Sequence, residues 1–333
     1  MLAFAVALLA LSGGAIAQEL TSTQREQVLE GIERVLSRQA FVPGVDFSKW
    51  GEYLEKRRSS IDISLSPRGF SLIVNRALRE FGVSHCRLDL EEKVGSMGLA
   101  AQVPALNPGA NSTLRVLEDG TAVLQLRSFG AEYKRTDLEK LLDSTRESTR
   151  LVIDLRSNGG GLVTNLQHFL SLVMPADKAV GTFVNRRSAM AFQSATGGDP
   201  TDLVAIAAWT RSKLRTRSLG PKPFEGKIAV LVNRGSASAS EIAAAALRDV
   251  LESPIIGSAT AGAVLGSTYA SLPNGFRLQY PAQDYVTLKG QRLEGHPIQP
   301  TFEIRTRGFG PDDPALQKAI ELLKAPARTP PPL

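Results

Sequence analysis

Three serines occupy alternate positions in NRGSASASEIAAAALRD, the stretch from Asn233 to Asp249: Ser236, Ser238 and Ser240. Alanines follow at once, so a small polar turn opens a helix. A helix N-terminus presents free N–H groups and a partial positive charge, which would stabilise the oxyanion formed when a serine attacks a carbonyl. Ser238-x-x-Glu241 equally fits a capping box, which accounts for the spacing with no chemistry at all. The spacing leaves both roles open, and they are compatible, because a cap sits where a nucleophile gains from the helix field. A second turn of the same build follows LVIDL and contains Gly159, Gly160 and Gly161. Its glycines allow the backbone to approach a ligand where a side chain would not. Phosphate is the rival ligand for such turns, yet no Walker lysine follows either one.

A nucleophilic serine needs a base. The chain has three histidines, His85, His168 and His296. His168 falls within the helical pattern NLQHFL, a packing or surface position, and His296 sits in the proline-bounded loop LEGHPIQP. His85 lies in GVSHCRLDL, after a capped helix and at the start of an extended segment. Beside it, Cys86 reads as a small buried hydrophobe that strand alternation would turn away from His85. It is the single cysteine, so an intrachain disulfide is excluded. No metal motif such as H-E-x-x-H appears, and no metal or cofactor is expected.

Periodicity outlines the elements that must position these groups. Thr23 to Leu36 has a helical pattern with a Thr23-x-x-Glu26 capping box. A second helix is expected about Phe47–Arg57. A third has Ser66 as cap, Pro67 at its first position and Gly82 beyond its end. Residues 18–82 are therefore expected to form a helical domain that caps the core. AQVPALNPGAN at 101–111 reads as a linker, and LRVLEDGTAVLQL as a hairpin about Asp119-Gly120. Then come a helix at 135–148, a strand at 151–155, a helix from about Leu162 to Val173, a strand at 228–232 and a helix at 239–251. Strand-rich sequence with a Leu272-Pro-Asn-Gly275 turn fills 264–305. Strands alternating with helices imply an α/β core, here 83–310, followed by a C-terminal helix and a Pro-rich tail ending RTPPPL at 311–333.

The 333 residues are 43% hydrophobic and 22% charged, which suits one large globular domain or two small ones. The formal net charge is +6, but no block of like charge or basic–aromatic stripe accompanies it, so a nucleic-acid role is unsupported. The opening MLAFAVALLALSGGAIAQ has an apolar run from Leu2 to Leu11 and Ala15-Ile16-Ala17 before Gln18. That is a secretory signal over 1–17, although no Lys or Arg precedes its apolar run; it is too short to span a bilayer. A periplasmic or secreted chain with no transmembrane span in its mature form is expected.

Three motifs in order carry a resemblance: Asp154-Leu-Arg-Ser-Asn-Gly-Gly-Gly161, Gly235-Ser-Ala-Ser-Ala-Ser-Glu-Ile242 and Ile256-Gly-Ser-Ala-Thr-Ala-Gly262. Together they resemble the C-terminal-processing (tail-specific) and tricorn serine peptidases, from about Phe81 to Ile304. The resemblance implies a crotonase/ClpP-like α/β core and makes Ser238 the nucleophile, with Asp249 eleven positions on as in the processing enzymes. Those enzymes pair the serine with a lysine in a Gly-Lys-Gly, where this chain has Gly262-Ala263-Val264. The tricorn branch uses a histidine preceded by a serine and a distal glutamate. Ser84-His85 and the glutamate of Arg292-Leu-Glu-Gly-His-Pro-Ile-Gln-Pro300 resemble that set.

The resemblance thus implies His85 as base, Glu294 holding it either directly or through Ser84, and the Gly160 and Ala239 N–H groups as oxyanion hole, in Ser-His-acid logic. The substrate would be a peptide or protein tail. Two departures stand out. Thr301 replaces the family's aspartate after the C-terminal proline, and about 25 residues lie where a PDZ module would sit, too few for that fold. A compact arrangement without PDZ also resembles the repeats of interphotoreceptor retinoid-binding protein, so a non-catalytic protein binding apolar ligands or peptides is the rival reading.

Overall fold

A computed structural model describes residues 19–64, 66–91, 110–220, 222–305 and 312–325. The expected signal at 1–17, most of the 101–111 linker and the RTPPPL tail lie outside these residues. Eleven strands are present among them: β1 (Arg87–Leu90), β2 (Ser112–Val116), β3 (Ala122–Leu126), β4 (Arg150–Asp154), β5 (Ala179–Asn185), β6 (Leu214–Arg215), β7 (Lys227–Val232), β8 (Ile255–Gly257), β9 (Leu265–Leu272), β10 (Phe276–Thr287) and β11 (Phe302–Glu303). They form two sheets.

The first sheet has the order β11-β8-β7-β4-β3-β2. It is parallel except for β2, which joins β3 through the Asp119-Gly120 hairpin. The unbroken apolar runs of β4 and β7 follow from burial on both faces, as a parallel strand between helical layers requires. Leu151, Ile153, Ile228, Val230 and Val232 face the alanine-rich helix Ala239–Leu251 and the helix Val163–Val173. The alternate residues Val152, Ala229 and Leu231 face Ala315, Leu316 and Ala319 of the helix Pro314–Lys324. Direct pairing of β4 with β7, Asp154 opposite Leu231, brings the glycine and serine turns out side by side at the carboxyl ends of the strands, where open α/β sheets place ligands.

The second sheet is antiparallel and is built around the twelve-residue β10, which pairs with β1, β9 and β5 in turn, with β6 beyond β5. The Leu272-Pro-Asn-Gly275 turn joins β9 to β10, with Asn274 at φ 62°. Helices Ser22–Arg38, Trp50–Glu55 and Pro67–Leu78 bury Val28, Ile32, Trp50, Phe70 and Val74 against Leu88, Phe276 and Leu278 of this sheet. One core therefore joins the helical cap to the second sheet. The first helix is capped two residues before the expected Thr23: Thr21 accepts from Gln24 N–H and the Gln24 side chain accepts from Thr21 N–H, a capping box with Gln in place of Glu.

Two further differences have local causes. The helix expected at 135–148 ends at Asp143, because the Ser144 and Thr145 hydroxyls donate to the carbonyls of Leu141 and Leu142 and close it with turns. Residues 174–227, unassigned by sequence, contain β5, the helices Arg186–Thr196 and Leu203–Trp209, and β6. These elements are short, and they are stopped and started by caps at Asn185 and Asp202 rather than by a long apolar period.

A buried ion network fixes the C-terminal helix beneath the glycine turn. Arg156 binds Asp154 through Nε and Nη2 at 2.9 and 2.6 Å, and its Nη1 lies 2.6 Å from Asp313. Asp313 in turn caps the helix Pro314–Lys324. Breaking such a buried pair costs more than it returns in shape, because the stranded charges stay desolvated. Arg156→Met is expected to lose about 3–5 kcal/mol of stability, read from the urea midpoint; a loss under about 1 kcal/mol, the range of exposed pairs, would contradict the clamp.

Candidate active site

The three serines of the second turn are not equivalent. Ser236 Oγ donates to Leu155 O at 2.8 Å and accepts from Asn233 N–H, while Ser240 Oγ donates to Asn158 O at 2.9 Å. Both residues are fully buried. Ser238 is partly exposed, and its side chain makes no cap hydrogen bond. Its backbone stands at φ 56°, ψ −119°, outside the regions open to an L residue without cost. The conformation turns the chain sharply from β7 into the helix, as a nucleophile elbow does. Ser238 and Glu241 stand in the expected capping-box arrangement: Glu241 accepts from Ser238 N–H at 3.1 Å, and Glu241 N–H donates to the Ser238 carbonyl at 2.9 Å.

Glu241 does more than cap. Its buried carboxylate also accepts from Thr260 Oγ1, Gly262 N–H and Ala263 N–H at 2.5, 2.8 and 2.9 Å. Burial raises its pKa, and these hydrogen bonds oppose the rise. Ser238 N–H also donates to Ala263 O at 3.1 Å and Ala261 N–H to Ser236 O at 3.0 Å, so the elbow and the segment 260–263 are tied by backbone bonds as well as through Glu241. The sequence shows Glu241 only as a cap; its second partner set comes from a loop some twenty residues on.

The glycine turn lies against the elbow. Gly160 has φ +91°, and a Cβ there would fall 2.7 Å from Ser238 Cβ, 2.8 Å from Ala237 O and 2.9 Å from Ala239 N. No other residue fits. Gly161, at φ +145°, meets the Phe129 backbone as closely. Asn158, unremarked in the sequence, holds the two turns together. Its Nδ2 donates to Leu126 O, its Oδ1 accepts from Gly160 N–H, and its carbonyl accepts from Ala237 N–H and Ser240 Oγ. The Gly160 N–H is therefore satisfied within its own turn, whereas the Ala239 N–H donates to no acceptor among the described residues.

The second sheet supplies the other groups. His85 stands at φ 57°, two residues before β1 begins, so it is held by a bend rather than by strand alternation. Cys86 packs against the core shared with the cap, and burial pushes its thiol up to about 12. Ser84 Oγ lies 2.6 Å from His85 Nδ1 and donates to Glu294 Oε2 at 2.9 Å, while Ser84 N–H donates to Glu294 Oε1 at 2.8 Å. Glu294 is buried and accepts a third bond, from Val264 N–H at 2.7 Å. Since Ala263 receives the Ser238 N–H and Val264 feeds Glu294, consecutive residues join the elbow to the Glu294–Ser84–His85 chain. Burial, and then the Arg87 charge, lower the His85 pKa.

The other two histidines, Asp249 and the nearby Lys289 and Asp284 have partners of their own. His168 is buried between Tyr133 OH and Glu139, at 2.8 and 2.9 Å. His296 Nδ1 meets Glu294 O at 2.8 Å. Lys289 Nζ is 3.8 Å from Asp249 Oδ1, and Asp284 is buried against Arg292. No group of three or more metal-ligating side chains occurs among the described residues.

Comparison with known proteins agrees with this architecture. The family model for peptidase family S41 matches residues 120–304. A probable CtpA-like serine protease of Staphylococcus haemolyticus is 26% identical over 192 residues, covering 58% of this chain and 32% of the relative. A counterpart in Staphylococcus aureus strain COL is 29% identical over 157 residues, 47% of this chain and 27% of the relative. The chain thus matches about a third or less of the length of these relatives. Among solved structures, a putative peptidase from Parabacteroides merdae superposes with TM-score 0.61 at 17% identity, covering 91% of this chain and 97% of its own. The photosystem II D1 C-terminal processing protease gives 0.55 at 16%, covering 92% and 98%, and the tricorn protease 0.59 at 15%, covering 90% and 36%. These likenesses show a shared α/β fold, and the family match extends over more than half of the chain, through both turns and Glu294: the chain belongs to peptidase family S41.

Proposed function

We propose that this chain is an exported serine peptidase that cleaves peptides or protein tails by acyl transfer, with Ser238 as nucleophile and His85 as base. The observation that carries the reading is the Glu294–Ser84–His85 chain. A hydroxyl has one proton, and that of Ser84 goes to Glu294, which as a carboxylate only accepts. His85 Nδ1 must then donate to Ser84 Oγ. That tautomer leaves Nε2 unprotonated, the form a base needs, and the lowered pKa of His85 keeps the ring neutral near pH 7.

The steps follow. Ser238 Oγ attacks the scissile carbonyl as its proton passes to His85 Nε2. Glu294, acting through Ser84, stabilises the imidazolium, which then protonates the leaving amine; water repeats the sequence to release the acid. The oxyanion is met by Ala239 N–H and by Gly160 N–H, the latter shared with Asn158 Oδ1. Export rests on the leader-like opening of the sequence. No helix among the described residues is long and apolar enough to cross a membrane.

Ser238→Ala should abolish hydrolysis and fluorophosphonate labelling while changing stability by less than about 1 kcal/mol, because its side chain makes no cap bond. Ser236→Ala and Ser240→Ala should still be labelled. Labelling of Ser236 in the wild type would move the nucleophile two residues upstream.

Glu294→Gln should lower kcat by on the order of 10⁴, and Ser84→Ala should lower it in the same direction, both measured on a peptide substrate beside an unfolding curve. Turnover surviving both changes within a factor of a few would remove the relay from the mechanism. Wild-type protein that neither hydrolyses peptides nor reacts with the probe, yet takes up an apolar fluorophore saturably, would instead support the binding-protein reading.

Because His85 must be neutral to act, kcat/KM should rise with pH along a limb lying below the ordinary imidazole value of about 6.5, as burial and Arg87 dictate. Arg87→Gln should move that limb upward. A limb near the lysine range that is lost on replacing Lys289 would restore a Ser–Lys mechanism.

A further inference from the structure

At the opposite end of the parallel sheet from the proposed catalytic turns, a cleft of about 840 Å³ opens beside the first residues of β4 and β7. Its size is that of a small-molecule site. Leu142, Leu172, Phe224 and Leu323 give it an apolar floor, and six basic residues line it against three acidic ones. Two of the six are spoken for: Arg146 pairs with Asp143 and Lys324 with Asp119. Arg150 donates to Thr121 Oγ1 and Asp119 O, and Lys227 Nζ to Ala325 O, and neither forms an ion pair among the described residues. Lys140 and Lys222 form no ion pair among the described residues. A second hollow shares the wall Pro223–Lys227 and continues toward Leu251–Pro254, so the space is elongated. An apolar floor under a cationic rim fits an amphipathic anion, with the chain along the floor and the head among the lysines.

A chain of contacts leads from the cleft to the back of the glycine turn. Glu139 on its wall lies 2.9 Å from His168 Nε2, and His168 Nδ1 meets Tyr133 OH at 2.8 Å. The Tyr133 ring stacks on Phe129 at 6.0 Å, and Phe129 N–H donates to Gly160 O at 2.8 Å. An anionic head placed beside Glu139 repels its carboxylate and so acts on the one exposed link of this otherwise buried chain. We propose that the cleft is an effector site for a single-chain amphipathic anion, coupled through Glu139, His168 and Tyr133 to the turn that contacts Ser238. The coupling, unlike the binding, rests on Ser238 being the reactive serine.

Octanoate is the probe, titrated into the full chain by calorimetry. Saturable one-to-one binding is expected, with acetate (the head alone) and octyl glucoside (the chain without charge) at least tenfold weaker. Lys140→Glu/Lys222→Glu should weaken octanoate at least tenfold, whereas Lys56→Glu, on the helical cap, should leave it unchanged. Equal binding of octanoate and octyl glucoside, or binding indifferent to the double reversal, would overturn the site. Binding is read equally in Ser238→Ala, so it stands or falls apart from the peptidase reading. For the coupling, saturating octanoate should change the rate of fluorophosphonate labelling of Ser238 at least threefold in the wild type and not in His168→Phe, which should still bind octanoate. An unchanged labelling rate in octanoate-bound wild type would overturn the coupling. If the wild type takes no label even without octanoate, it is the peptidase reading that fails, and the calorimetry alone decides the site.

Discussion

Gly160 and Ser238 approach so closely that a single added methyl group would collide with three atoms of the elbow. Much of the architecture can be read as the means of holding that contact. Two adjacent parallel strands must end in register, which the β4–β7 pairing provides. The first turn must run through left-handed backbone, which glycine permits at little cost. The second must pass through a conformation that a serine tolerates only under constraint, and the constraint is visible: Ser238 N–H is held by both Ala263 O and Glu241. Strain of this kind persists where the surroundings over-determine it.

The same logic explains why so many buried polar groups cluster here without loss. Asn158, Ser236, Ser240, Glu241 and Thr260 are all nearly or fully buried, and each spends its hydrogen bonds on a turn rather than on another side chain alone. A buried polar group costs when it is unsatisfied and rigidifies its surroundings when it is satisfied. Ser238 is the exception among its neighbours, with a hydroxyl that no cap bond engages. Beside it the Ala239 N–H, at the first position of the helix, donates to no acceptor among the described residues.

The second sheet solves a different problem. His85 and Glu294 are separated by more than two hundred residues, yet both lie at the margin of the sheet centred on β10, and Val264, which leads into β9, bonds Glu294 directly. The helical cap shares its core with this sheet, so the cap's packing bears on the position of Ser84 and His85, which follow its last long helix after one turn. The acid does not reach the ring. The Ser84 hydroxyl stands between them, 2.6 Å from His85 Nδ1 and 2.9 Å from Glu294 Oε2.

The sequence alone determined what depends on local pattern: the apolar runs of β4 and β7, the helix 239–251 and the hairpin at Asp119-Gly120. It misplaced the first capping box by two residues, overran the helix after Arg135 and left 174–227 blank, because hydroxyl back-bonding and short capped elements leave no periodic signal. The tertiary structure decided the rest. Glu241 reads as a cap until the 260–263 loop folds onto it; Asn158 reads as a turn residue until it is seen joining three segments; and whether Glu294 meets the imidazole or a hydroxyl depends on a contact across 210 residues. Such facts are absent from spacing because hydrogen bonds between distant segments are set by how the sheets pack, not by neighbours in the chain.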